Sequence, residues 1–198
     1  MNFLAHAQLS FHQPEILVGN MISDFVKGKK QYDYSPGIQQ GIKLHRAIDQ
    51  FTDTHPVTKE LKQYFRSSYG LYAGVFTDVM YDYFLANDTQ EFASAEALQQ
   101  FSAGCYHTLE TYDAVLPTSF KKIFGYMRSQ DWLFHYHEKW LIEKSFWGLE
   151  RRAKYLKETG QAFIIFNEHL DELHLGYDVF YPQLKDFAVH TLQKLLKH

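Results

Sequence analysis

Apolar residues along this chain recur three and four positions apart, in blocks separated by proline and glycine. A helix advances about 100° per residue, so each block lines up one apolar face. The blocks predict a short helix over Asn2–Phe11, a second from Pro14 to Gly28, a third from Ser35–Pro36 to about His55, and a fourth opening at Pro56. Others are predicted over Leu71–Asn87, behind a Ser94 cap, from Pro117, and over WLFHYHEKW behind an Asp131 cap. GLERRAKYLKETG, the segment after Gly160, and FYPQLKDFAVHTLQKLLKH with Pro182 near its start complete the set. Serine before the first turn and proline at its first position mark the helix starts. No segment alternates with period two between turn pairs, so no sheet is predicted. The fold class is all-α: one domain over residues 1–198, a bundle of roughly eight to ten helices.

Certain polar residues break this pattern, because they stand on the apolar faces. In GIKLHRAIDQFTDTHP (41–56), His45 and Asp49 share a stripe with Ile38, Ile42 and Thr52, beside Leu44, Ile48 and Phe51. In the 71–87 helix, Asp78 and Asp82 share a face with Val75, Val79 and Leu85. Asn20 and Asp24 lie beside Leu17 and Met21, and Asn2 and His6 beside Phe3. A carboxylate removed from water neutralises, finds a cation or coordinates a metal. Two Asp four apart also repel each other. Imidazole mixed with carboxylate suits Mn, Fe, Mg or Zn. Taken pair by pair, a hydrogen-bonded His45–Asp49 couple, Asp78 beside Arg46 or Arg66, a solvated Asp24 and a locally capping Asp53 serve equally. The recurrence on four helices is what raises the metal reading.

Composition narrows the choice. The chain has 198 residues, 45% hydrophobic and 22% charged, in the range of one globular core. A net charge of −3 argues against general nucleic-acid binding. The lone Cys105 cannot form an internal disulfide, which points to a reducing, cytoplasmic setting. The start has no secretory pattern, and no apolar run is long enough to span a membrane. The 17 Phe and 14 Tyr imply a core of large side chains or a lined cleft. Most of this surplus is assigned to the core, the Trp140 and Trp147 pair included.

NFLAH (2–6), GNMISDFVKG (19–28), GIKLHRAIDQFTDTHP (41–56) and AGVFTDVMYDYFLA (73–86) resemble the bacterial acyl carrier protein phosphodiesterase family, also called acyl carrier protein hydrolyase. DWLFHY (131–136), Arg151–Arg152 and FYPQL (180–184) extend the likeness over nearly the whole chain. The family is similar to the HD-domain metal-dependent phosphohydrolases, though without their adjacent His-Asp pair. The resemblance implies hydrolysis of the phosphodiester joining 4′-phosphopantetheine to a serine of holo-acyl carrier protein, with Mn²⁺ as the metal. It carries over to His6, Asp24, His45, Asp49, Asp78 and Asp82. Two departures stand out. Tyr83 replaces a family histidine after Asp82, and YGLYAG lacks an arginine pair.

On this footing His6, Asp24, His45 and Asp78 are the expected metal ligands. Asp49 orients His45 or ligates directly, and Asp82 is the expected general base or a further ligand. Arg46 and Lys27 are candidates for phosphate stabilisation. The implied partner is acidic, so a local basic patch is expected at KGKK (27–30), with Lys121–Lys122 and Arg151–Arg152 as others. Two rivals remain: an HD-like hydrolase of a small phosphodiester or nucleotide, and a non-enzymatic helical binding protein with structural His–Asp pairs.

Overall fold

The computed structural model describes residues 2–152 and 156–197; the side chains at 151 and 152, and so the expected Arg151–Arg152 patch, lie outside the described residues. The described residues form helices and short 3₁₀ turns with no strand among them, as the spacing predicts. The helices are α1 (Phe3–Gln8), α2 (Pro14–Ile22), α3 (Pro36–Thr54), α4 (Pro56–Tyr69), α5 (Ala73–Ala86) and α6 (Ala95–Thr111). They continue with α7 (Thr118–Ser129), α8 (Trp132–His135), α9 (Lys139–Arg152), α10 (Gly160–Glu168) and α11 (Leu170–Leu195). One continuous core joins them, from Leu4 on α1 to Leu192 on α11.

The stripe predicted for α3 is the buried one: Ile38, Ile42, Leu44 and Ile48 are at most 2% exposed. Each such side chain contributes roughly 1.5–3 kcal/mol on leaving water. α2 and α3 cross at two glycines. A Cβ on Gly19 would sit 2.1 Å from the Ile38 carbonyl oxygen, and one on Gly41 2.4 Å from that of Ile16. Only backbone without side chains can approach this closely. The crossing brings the peptide of Asn20 within reach of α3.

Several predicted boundaries move. α2 stops at Ile22 and a 3₁₀ turn, Ser23–Phe25, follows, so Asp24 leaves the helix face and becomes exposed. Ser94 caps α6 through the Ala97 amide (3.2 Å), as predicted. Ser35 instead donates to Glu15 Oε1 (2.6 Å), and Asp131 is left-handed (φ 42°) and accepts from the Ser102 hydroxyl. Pro182 lies inside α11 rather than near a start. An interior proline costs about 3 kcal/mol; burial of Tyr177, Phe180, Tyr181 and Leu184 around it offsets that.

Candidate metal centre and cleft

α1, α2 and α3 meet at two imidazoles. The rings of His6 and His45 stack at 3.9 Å between centroids, 17° from parallel, and both are buried. Asn20 holds the two from one side. Its side-chain oxygen lies 2.8 Å from His6 Nδ1, and its backbone oxygen 2.7 Å from His45 Nδ1. The amide orientation is itself set, because Asn20 Nδ2 donates to the His6 carbonyl (2.8 Å) and to Ser10 Oγ (3.1 Å). Both Nδ1 atoms therefore face pure acceptors and carry hydrogen, which leaves both Nε2 atoms to the other side.

On that other side stand carboxylates. Asp49 Oδ1 is 3.1 Å from His6 Nε2, and Asp49 Oδ2 is 3.1 Å from His45 Nε2. Asp24 Oδ1 is 3.3 Å from the same His45 nitrogen. Burial alone would lower the His45 pKa, but the hydrogen bonds it donates to Asp24 and Asp49 outweigh that and raise it to about 9. His6 is lowered to about 4, by burial and then by the charge on His45. Asp49 is held well below the ordinary carboxylate range, because the bond from His45 and the adjoining His6 imidazole overcome its burial. Asp24 is also lowered, chiefly through its bond to His45.

A proton on His45 settles only one of the two contacts. A neutral His6 still presents a lone pair to an anionic oxygen across 3.1 Å. A cation among these atoms satisfies all of them, so the donor set fits a divalent metal. Among the described residues, one ligand atom each from His6, His45 and Asp49 lies within 4.8 Å of the others. That is close to the spread of donors around one ion at about 2.0–2.2 Å per bond. Imidazole with carboxylate is also the mixed set that borderline divalent ions accept.

The predicted residues thus separate. His6, His45, Asp49 and Asp24 converge. Asp78, expected among the first ligands, stands half-buried on α5 in the wall of an adjoining cleft, its carboxyl pKa raised by burial. Asp82, expected as base or ligand, lies against the start of α1 and not in the cluster. It is fully buried, and its two oxygens accept the Leu4 amide (2.8 Å) and the Ala5 amide (3.2 Å). It caps α1 from another helix, while Asn2, at the usual capping position, donates to the Tyr136 hydroxyl (2.9 Å). Burial raises the Asp82 pKa to about 7. Arg46 is exposed and faces away from the imidazoles, binding Gln31 Oε1 (2.9 Å) and the Val26 carbonyl (3.3 Å). It ties α3 to the turn that carries Lys27, Lys29 and Lys30, all exposed. Lys121 is occupied by Asp113 at 2.7 Å. Tyr83 packs edge-on against Phe166 of α10 and does not line the cleft.

The cleft, of about 660 Å³, runs from Asp24, Asp78 and Phe3 to α8 and α9. Trp140 and Trp147, assigned to the core from sequence, are instead 43% and 55% exposed along it. Asn20 was in plain view as a polar residue on the α2 face; nothing in its spacing marked it as the holder of two histidines.

The sequence profile of the family described as acyl carrier protein phosphodiesterase matches residues 1–184. An "Acyl carrier protein phosphodiesterase" of Yersinia pestis is 32% identical over 190 residues, covering 96% of this chain and 98% of that protein. Proteins of the same name from Yersinia enterocolitica serotype O:8 and Escherichia coli O139:H28 are each 32% identical, over 95% and 96% of this chain and 97% and 98% of their own. No solved structure matches the chain.

Proposed function

The chain belongs to the acyl carrier protein phosphodiesterase family, and on that premise we propose that it is a metal-dependent phosphodiesterase releasing 4′-phosphopantetheine from a serine of holo-acyl carrier protein. One observation carries the metal dependence: two buried imidazoles, hydrogen-committed at Nδ1, present both Nε2 atoms to one carboxylate. His6, His45 and Asp49 would hold the ion, and Mn²⁺ suits the set. An HD-like reading of the fold rests on the same feature, histidines and aspartates gathered from separate helices. Bound there, the ion supplies Lewis-acid polarisation of a phosphoryl oxygen and a more acidic water.

The protein's own groups supply the rest. Asp24 is exposed, anionic and beside His45, so it accepts the proton of the attacking water. Asp78 faces the same cleft and keeps its proton to higher pH than an ordinary carboxyl. It therefore protonates the departing serine oxygen. Lys27, Lys29 and Lys30, latched by Arg46 next to Asp24, form the cationic surface that steers an acidic protein despite the net charge of −3. No helix among the described residues is long and apolar enough to cross a membrane.

Intact-mass spectrometry of holo-acyl carrier protein tests this reading. Incubation with the protein and Mn²⁺ is expected to remove the arm, EDTA to prevent it, and His45→Ala to abolish it. An unchanged carrier mass with Mn²⁺ present would refute the proposed substrate.

A further inference from the structure

All three tryptophans of the chain, Trp132, Trp140 and Trp147, line the one cleft beside the imidazole centre. Two of them expose about half their surface, at 43% and 55%. Large aromatics held partly open to water along a concave wall are what a bound apolar ligand covers. Tyr136, almost fully buried, adds a hydroxyl already held by Asn2. Lys144, which also lines the cleft, lies 5.6 Å over the Trp140 ring and donates to Gln130 Oε1 (2.8 Å). Aromatic and aliphatic side chains predominate along the walls, with Asn2, Asp24, Asp78, Glu143, Lys144 and Ser145 as the polar groups among them. A volume of about 660 Å³ is within the range for one small organic ligand.

Asp24 sits at a junction. It lines this cleft, it reaches His45, and three residues later the exposed Lys27–Lys30 turn begins. One side of the centre is cationic and open, the other concave and rich in aromatic side chains. We infer that the tryptophan-lined cleft binds the pantetheine arm itself, with the phosphate at the imidazole centre beside Asp24 and the carrier protein outside on the lysine turn. This deepens the proposed function and rests on it. The chemistry matches part by part. The arm is a flexible, uncharged chain with a gem-dimethyl group, two amides and a thiol, suited to indole walls with occasional hydrogen-bonding groups. The carrier is acidic and bulky, suited to a flat cationic surface. Discrimination among phosphodiesters then comes from Trp140 and Trp147, not from the metal.

The test uses pantetheine, with neither phosphate nor carrier, followed through the three indole N–H resonances in a ¹H–¹⁵N spectrum. Saturable shifts of those resonances are expected, with binding about tenfold weaker in Trp147→Ala and in Trp140→Ala. Circular dichroism checks that each variant is folded, and Trp147→Tyr, which keeps an aromatic wall, is expected to retain most of the binding. Indole resonances unmoved by millimolar pantetheine, in a protein that does strip holo-carrier, would overturn the inference. So would shifts produced by AMP and not by pantetheine. Pantetheine binding without cleavage of holo-carrier leaves this cleft assignment standing and removes the proposed reaction instead.

Discussion

α3 and α5 carry the same signature: two polar, titratable residues four apart on a stripe of apolar ones, His45 and Asp49 in one, Asp78 and Asp82 in the other. Their fates differ because each meets a different part of α1. α3 meets the side chain of His6, and its pair becomes the heart of a donor cluster. α5 meets the backbone start of α1, and Asp82 becomes the carboxylate for two amides that no neighbour in sequence satisfies. One gathers metal-type donors and the other holds the short helix that delivers His6. A buried carboxylate is therefore not a catalytic signature by itself; what matters is whether it faces other side chains or peptide N–H groups.

Substitutions can break this contrast. Asp49→Ala is expected to lower phosphodiesterase activity by about a thousandfold or more, with metal uptake lost in calorimetry, because both Nε2 atoms lose their shared partner. Retention of stoichiometric Mn²⁺ would remove Asp49 from the centre. Asp82→Ala is expected to act mainly on stability. It strands two buried amides, at about 1–3 kcal/mol each. At roughly 2–4 °C per kcal/mol for a chain of this size, the melting temperature of the metal-free protein should fall by about 5–15 °C. If that variant melts like wild type, the capping role is wrong.

Asn20→Ala sharpens the contrast within the cluster. It removes the acceptor of His6 Nδ1 and leaves that of His45, a backbone oxygen. Metal affinity should fall by about 10–100-fold, and ¹⁵N spectra should show the tautomer of His6 disturbed and that of His45 kept. Equal disturbance of both rings would show that Asn20 does not orient them separately.

Two further effects depend on pH. Asp82 keeps its proton in the folded state up to about 7, whereas an unfolded carboxyl has released its own near 4. The folded form binds the extra proton, so stability falls as pH rises through that window. Asp82→Asn should flatten the slope in denaturant titrations. His45 is protonated up to about 9 without metal, and a metal must displace that proton. Affinity should therefore rise by about tenfold per pH unit towards 9 and level off above. A flat profile would mean that His45 is not a ligand.

Much of this was legible along the chain. Periodicity with proline and glycine punctuation is local, so it was enough for the all-α class and most helix starts. His6, His45 and Asp49 were readable as misfits on apolar faces, because burying a charge needs a reason wherever it happens; Asp24 was read the same way, but the 3₁₀ turn after α2 exposes it. The family likeness lay in contiguous motifs, which need no folding to be seen. The roles of Asp82 and Asn20 were not legible. Asp82 accepts from residues 78 and 77 positions away in the chain, and Asn20 reaches His45 only where two glycines let α2 and α3 touch. Trp140 and Trp147 misled for a related reason: composition says that an indole prefers to leave water, not whether the protein or a ligand covers it. The sequence alone determined which residues are helical, apolar or able to carry charge, since those are properties of the residue and its near neighbours. Tertiary structure alone decided which of them converge on two imidazoles, which cap a helix and which line a cleft, since these depend on contacts between segments that no local pattern encodes.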